Sequence, residues 1–237
     1  RGGQEASAVR IDIIFSDLDG TLLLGDKGLS PGTAEALARA AQIYGSGVVI
    51  RVPNEEAARV AQMMDCQLQG IKIPHVETKE QALAIVNAVK YAPVGKRGFC
   101  PITRAADYGF TASPADYPVR ANRDSVVSIM VETKRGLENL DEILSIPEID
   151  VVAIGPSDVS ASYGLPGQPD HPVVKAAIEE GQRKIIASGK CLCDLYKNPE
   201  QAKKAIRSGV RMFQIGSPLQ LLSGGVKELI QGVKARM

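Results

Sequence analysis

Seven short apolar runs recur along this chain, with helical periodicity in most of the stretches between them, and that alternation leaves few folds open. The runs occupy residues 11–16, 48–52, 70–74, 126–131, 151–155, 190–193 and 211–216. Val126-Val127-Ser128-Ile129-Met130-Val131 and Val151-Val152-Ala153-Ile154 hold too few polar residues for a strand with one face in water. They read as strands buried on both faces, as in a parallel sheet. Parallel neighbours need crossovers, and the sequence supplies helices with start signals. Ser30-Pro31 offers an N-cap followed by proline at the first helical position, then Ala34, Leu37, Ala38 and Ala41 on one face. Thr78 and Gln81 have capping-box spacing ahead of Ala82, Ile85, Val86 and Val89. Asn198-Pro199 opens a helix that ends at Gly209; Leu137, Leu140 and Leu144 line another, and residues 219–233 form the last. Serial strand–helix units with right-handed crossovers give a parallel sheet, closed into a barrel or open and doubly wound. Even spacing, a closing helix and acids at strand ends favour a (βα)8 TIM-type barrel. Only seven strands are legible, so the first strand–helix unit is expected to be absent or modified.

Composition fits a single enzyme-sized domain over residues 1–237. Barrels of this class commonly reach this length as one unit. Apolar residues make up 44% and aromatics 4%, with no tryptophan, which suits a core of Val, Ile, Leu and Ala. A net charge of +1 gives no reason to expect nucleic acid or an anionic membrane as a partner. No apolar run is long enough to span a bilayer and no signal-peptide pattern opens the chain, so a cytoplasmic location is expected. Cys191 and Cys193 stand two apart on a strand, poor spacing for a disulfide or a zinc knuckle. With Cys66 and Cys100 they read as buried thiols in a reducing compartment.

Chemistry concentrates just past the apolar runs. Glu132 follows the run ending in Val131, and Asp158 follows the run ending in Gly155 through Pro156 and Ser157. Acids at the exits of parallel strands gather at one end of the sheet, where α/β folds keep their active sites. Two hard oxygen ligands there suit Mg²⁺ or Mn²⁺ with positions left open for substrate. The alternative is that both carboxylates stabilise helix starts through the macrodipole. His75 also lies at a strand end, as a site residue or a hydrogen-bonded rim histidine. The long interruption from Tyr91 to Asp124 reads as a functional loop or subunit contact, with Arg104 and Tyr108 placed to contact a bound ligand or to lie in an exposed loop or interface.

Several segments together resemble the HpcH/HpaI aldolases, metal-dependent pyruvate aldolases on a (βα)8 barrel. They are Arg51-Val52-Pro53, Ile73-Pro74-His75-Val76-Glu77, Tyr91-Ala92-Pro93-Val94-Gly95-Lys96-Arg97-Gly98, Val131-Glu132-Thr133, Leu137-Glu138-Asn139-Leu140-Asp141-Glu142-Ile143 and Ile154-Gly155-Pro156-Ser157-Asp158-Val159-Ser160. The resemblance implies that Glu132 and Asp158 hold a divalent metal chelated by pyruvate or a related 2-oxo acid, with an aldehyde as second substrate. It implies that Arg51 donates to the keto oxygen as an enolate develops. It also implies that Gly155, Pro156 and Ser157 present backbone to the substrate carboxylate, and that the protein is a homo-oligomer, a trimer or hexamer.

One segment departs from that pattern. The family's catalytic histidine, paired with an aspartate matching Asp65, falls in this chain at Gly20 or, with an insertion, at Asp26. A carboxylate at Asp26 is a weak base unless burial raises it. The same segment, Asp17-Leu18-Asp19-Gly20-Thr21, resembles the first motif of haloacid-dehalogenase-type phosphatases, in which Asp17 would be nucleophile and Asp19 acid/base. That family's later Ser/Thr and acidic pair have no counterpart here. The sequence thus predicts a metal-dependent carbon–carbon lyase. A barrel that binds a 2-oxo acid without aldol chemistry is the alternative, and a phosphatase a more distant one.

Overall fold

In a computed structural model the described residues are 13–16, 30–52, 56–111, 113–196, 198–214, 216 and 218–234. They form a seven-stranded sheet, all parallel, whose spatial order is the order of the chain. The strands are β1 (Ile13–Ser16), β2 (Gly47–Arg51), β3 (Gly70–Ile73), β4 (Val126–Val131), β5 (Val151–Ile154), β6 (Cys191–Leu195) and β7 (Met212–Gln214). This is the strand order expected of the TIM-type reading, and seven strands is the number legible in the sequence. An eighth strand is not among the described residues.

The helices are α1 (Pro31–Ile43), α2 (Ala57–Met64), α3 (Lys79–Val89), α4 (Asp116–Asp124), α5 (Lys134–Glu138), α6 (Leu140–Leu144), α7 (Pro156–Ser162), α8 (Pro172–Ala187), α9 (Pro199–Arg207) and α10 (Pro218–Lys234). Their starts follow local chemistry. Ser30 accepts from the Thr33 N–H at α1, and Asn198 from the Gln201 N–H at α9. At α3, Thr78 and Gln81 form a reciprocal capping box. The helix expected around Leu137 to Leu144 is two short helices that meet at Asn139.

Strand alternation divides the core in two. Ile50, Ile71, Ile73, Val127, Ile129, Val131, Val152 and Ile154 face the helices in one continuous cluster. Val151, Ala153 and Cys193 make a separate inner cluster, with Val126, Met130, Cys191 and Met212 packed on it. Both faces are covered, which is why these strands read as unbroken apolar runs. All four cysteines are free; Cys66 and Cys193 are buried as expected, whereas Cys191 is half-buried and Cys100, in the long connection, is exposed. Among the described residues no helix is long and apolar enough to cross a membrane.

The long interruption is an ordered satellite rather than a bare loop. Tyr91, Ala106 and Tyr117 form its small core, with Phe99 edge-on to Tyr91 at 5.8 Å between ring centroids. Lys90, a residue only 4% exposed, ties its two ends together through its ammonium. It donates to the carbonyls of Asn122 at 2.7 Å and Ser125 at 2.6 Å, and to Ser125 Oγ at 3.0 Å. Because the segment connects the end of α3 to the start of β4, it sits at the strand-entry end of the sheet.

Candidate active site

Arg51 is the last residue of β2, Glu132 follows the last residue of β4, and Asp158 lies in the first turn of α7 after β5. In a parallel sheet these positions share one end, so the structure puts all three at the strand-exit rim. His75, Gly155, Pro156 and Ser157 stand at the same rim, each just past β3 or β5.

Glu132 is the best-defined group there. Its side chain is nearly enclosed, the residue being 3% exposed. The His75 backbone N–H donates to Glu132 Oε2 at 3.1 Å, and His75 Nδ1 lies 3.6 Å from the same oxygen on a largely exposed ring. His75 holds φ at 55°, an unusual backbone for a residue with a side chain, and this turns its N–H onto the carboxylate. On the other side Gly155 leaves the necessary room: a Cβ there would stand 2.6 Å from Glu132 Oε1 and 2.8 Å from Cγ. Gly155 is fixed in turn by its N–H, which donates to the Val131 carbonyl at 3.2 Å.

A polar network braces the rim. Val76 N–H donates to the Met130 carbonyl at 3.0 Å, continuing the β3–β4 ladder past the strand end. Thr133 Oγ1 donates to Glu77 Oε1 at 2.6 Å, while Asn139 Nδ2 donates to the Glu77 carbonyl at 2.8 Å. Lys134 N–H donates to Ser162 Oγ at 2.9 Å, joining α5 to the end of α7. The segments carrying His75, Glu132 and Asp158 therefore share hydrogen-bonded supports.

The donor set suits a hard divalent cation. A buried carboxylate is costly unless it is paired or coordinates a metal. The only ion-pair contact of Glu132 among the described residues is with His75, whose charge depends on protonation. No cluster of three or more His, Cys, Asp or Glu stands ready among the described residues. Two carboxylates with the remaining positions left to water and substrate is the pattern a hard, oxygen-seeking cation accepts.

Other residues named from the sequence lie elsewhere. Asp65 caps the end of α2, at the strand-entry end, where Arg97 Nη2 donates to its Oδ1 and the Ala105 N–H donates to its carbonyl at 3.2 Å. Arg97 is 7% exposed and its guanidinium also stacks 4.5 Å from the Tyr91 ring centre. Within one chain Asp65 is thus at the opposite end of the sheet from Glu132. Arg104 Nη1 lies 3.8 Å from Glu35 Oε2 on α1, and the Ala105 N–H on the Asp65 carbonyl sets this part of the segment beside the end of α2; the Tyr108 N–H donates to the Thr103 carbonyl within the segment. Asp17, Asp19, Gly20 and Asp26 lie outside the described residues.

Two polar residues, Lys72 and Ser128, are buried in register on the inner face of the sheet without having stood out in the sequence. The available signal was alternation: in Gly70-Ile71-Lys72-Ile73 the two isoleucines face the helices, which turns Lys72 inward.

Comparison with known proteins identifies the arrangement. The sequence profile of the HpcH/HpaI aldolase/citrate lyase family matches residues 4–224. A hydroxypyruvate/pyruvate aldolase of Sagittula stellata is 43% identical over 170 residues, 70% of this chain and 66% of that protein. A 2-keto-3-deoxy-L-rhamnonate aldolase of Klebsiella pneumoniae is 36% identical over 198 residues, 82% of this chain and 73% of its own length. The Escherichia coli K12 enzyme of the same name is 35% identical over 217 residues, 90% of this chain and 80% of its own. Among solved structures, an HpcH/HpaI aldolase from Desulfitobacterium hafniense superposes with TM-score 0.83 at 22% identity, covering 94% of this chain and 83% of that one. Citrate synthase SbnG gives 0.79 at 24% identity, covering 98% and 86%. At such identities the superpositions speak for the fold, whereas the sequence matches speak for descent. The chain belongs to the HpcH/HpaI aldolase/citrate lyase family.

Proposed function

We propose that this protein is a divalent-metal-dependent aldolase that forms or breaks a carbon–carbon bond next to the carbonyl of pyruvate or a related 2-oxo acid, by way of an enolate. The observation that carries this reading is the enclosed Glu132 carboxylate, held by a backbone N–H, at the rim shared with Asp158 and Arg51. The names of the aldolase relatives support it.

Glu132 and Asp158 would hold Mg²⁺ or Mn²⁺. A bound divalent cation supplies a Lewis acid for the keto oxygen of a chelating 2-oxo acid. Arg51, at the end of β2, would bring a fixed positive charge to the same rim, stabilising oxyanion character as a proton leaves C3 and the enolate forms, a contribution of about 3 kcal/mol. Gly155, Pro156 and Ser157 line the approach to the substrate carboxylate. His75 is the imidazole the fold brings to this rim, and proton movement at C3 is assigned to it. The enolate then attacks an aldehyde in the condensation direction, and the reverse sequence releases one. We further assign the seven strands to a (βα)8 TIM-type barrel that lacks or modifies its first strand–helix unit, in a cytoplasmic homo-oligomer, a trimer or hexamer, whose subunits bring Asp65 and the residue 91–124 segment to one another's rims.

The test is exchange of the pyruvate methyl protons with deuterium in the presence of Mg²⁺ or Mn²⁺, followed by NMR. Exchange requires enolisation but no knowledge of the aldehyde. Metal-dependent exchange that disappears in Glu132→Ala is the expected result. Metal-dependent pyruvate binding without exchange would instead mark a binding protein on an aldolase scaffold.

A further inference from the structure

We propose that Glu77 is a positioning residue of the metal site: its carboxylate, by holding the Thr133 hydroxyl, locks the turn after β3 in the conformation that aims the His75 N–H at Glu132. This deepens the metal-site reading above and rests on it.

His75 holds φ at 55°, a left-handed backbone that a residue with a side chain avoids. Such a conformation persists only where its surroundings over-determine it. The turn from His75 to Glu77 is fastened at every residue. The His75 N–H donates to Glu132 Oε2 at 3.1 Å, and the Val76 N–H donates to the Met130 carbonyl at 3.0 Å. The Glu77 N–H donates to Gln81 Oε1 at 2.8 Å, while the Glu77 carbonyl accepts from Asn139 Nδ2 at 2.8 Å. The last fastening is the short bond from Thr133 Oγ1 to Glu77 Oε1, at 2.6 Å.

That bond differs from the others in what it grips. Thr133 is the residue next to Glu132, so the turn holds the β4 exit by the Glu132 carboxylate and by the hydroxyl beside it. One bond alone would leave a hinge; two on adjacent residues fix a direction. Thr133 is itself anchored as the N-cap of α5, where its Oγ1 accepts from the Gly136 N–H at 3.1 Å. Gly136 lets that helix close on the turn, since a Cβ there would stand 2.9 Å from the Val76 carbonyl oxygen and 2.9 Å from Val131 Cγ1.

Glu77 serves here as an acceptor rather than as a charge. Its ion-pair contact is Arg135, whose Nη1 lies 3.7 Å from Oε2 on a side chain 66% exposed. Exposed pairs of this kind contribute little. A neutral acceptor of the same shape should therefore hold Thr133 as well as the carboxylate does.

The experiment compares the full chain with Glu77→Ala, Glu77→Gln, Thr133→Val and His75→Gly, and with Glu77→Ala placed in the His75→Gly background. Mn²⁺ affinity is read by electron paramagnetic resonance titration. Hydrogen exchange of the residue-75 amide is read by NMR on the metal-free protein. We expect Glu77→Ala and Thr133→Val each to bind Mn²⁺ about tenfold or more weakly, as when support around a metal ligand is lost. The residue-75 amide should exchange about tenfold or more faster in both, because its acceptor is no longer held in line. Glu77→Gln should match the parent in both readings. Glycine takes left-handed backbone freely, so Glu77→Ala should cost only about threefold or less in Mn²⁺ affinity in the His75→Gly background.

Parent-like residue-75 exchange in Glu77→Ala or in Thr133→Val overturns the proposal and leaves the metal site intact. Faster exchange throughout the domain also overturns it, because that marks a structural role. Equal losses in Glu77→Gln and Glu77→Ala overturn it in favour of the charge. Equal cost of Glu77→Ala in both backgrounds shows that the bond does not act through His75 and overturns it too. Should Glu77→Ala fail to fold, Thr133→Val removes the same bond from its other end and carries the same expectations. Failure of the unmodified protein to bind Mn²⁺ removes the metal-site reading and this proposal together.

Discussion

The carboxylate of Glu132 occupies the space that a side chain at position 155 would need. A Cβ on Gly155 would come within 2.6 Å of Glu132 Oε1. The first residue after β5 and the first after β4 therefore form one packed unit, and Gly155 shapes the carboxylate by what it lacks.

Gly155→Ala should leave the fold intact and disable the site. Gly155 has φ of −91°, which alanine adopts freely, so the damage comes from the displaced carboxylate. We expect metal affinity to fall about 10–100-fold, the range seen when support around a metal ligand is lost. Calorimetric titration with Mn²⁺ measures it; unchanged affinity would mean that the rim relaxes at no cost.

Glu132→Gln keeps the shape and removes the charge. Without metal the variant should melt no lower than the parent, since a buried charge without a fixed-charge partner is gone. The parent should gain thermal stability with added Mn²⁺, because a ligand bound to the folded state alone raises its stability. The variant should gain none. Differential scanning calorimetry with and without metal checks both halves.

Lys90→Met should loosen the residue 91–124 segment by about 1–3 kcal/mol, as two carbonyls and a hydroxyl lose their buried donor. Burial pushes the Lys90 amine below its ordinary value, partly offset by Asp150, Glu148 and Asp124. The unfolded chain thus binds this proton more tightly than the folded one. Parent stability relative to Lys90→Met should accordingly rise as pH climbs from the lowered folded value toward 10.5. Urea unfolding across that window gives the slope and its sign.

Leu222→Glu combined with Leu229→Glu should break an oligomer into monomers. Leu221, Leu222, Leu229 and Val233 on α10 are each at least 60% exposed. A contiguous apolar face of this kind on a stable protein usually meets a partner surface. Light scattering should show the parent well above the 25.2 kDa chain mass. A monomeric parent at micromolar concentration would remove the oligomer from the proposed function.

Much of the fold was legible because it is written in short-range terms. Ser30, Thr78 and Asn198 cap the helices that their neighbours predict, since capping joins residues three apart. The apolar runs became strands in chain order because a parallel sheet needs strands buried on both faces and the crossovers were already present. Alternation also decided which residues face inward, although Lys72 shows how a single polar residue in an apolar run can pass unread.

Local patterning along the chain set the elements, their order and the end of the sheet that carries Arg51, Glu132 and Asp158. Tertiary structure alone decided what touches them. The His75 N–H meets Glu132 across 57 positions, Gly155 makes room for that carboxylate, and Lys72 falls in register with Arg51 and Ser128. It also carried Asp65 and the residue 91–124 segment to the opposite end, where Arg97 holds Asp65. Local periodicity encodes which face a residue takes. Register and end-to-end placement depend on pairings between distant strands, which no window of sequence contains.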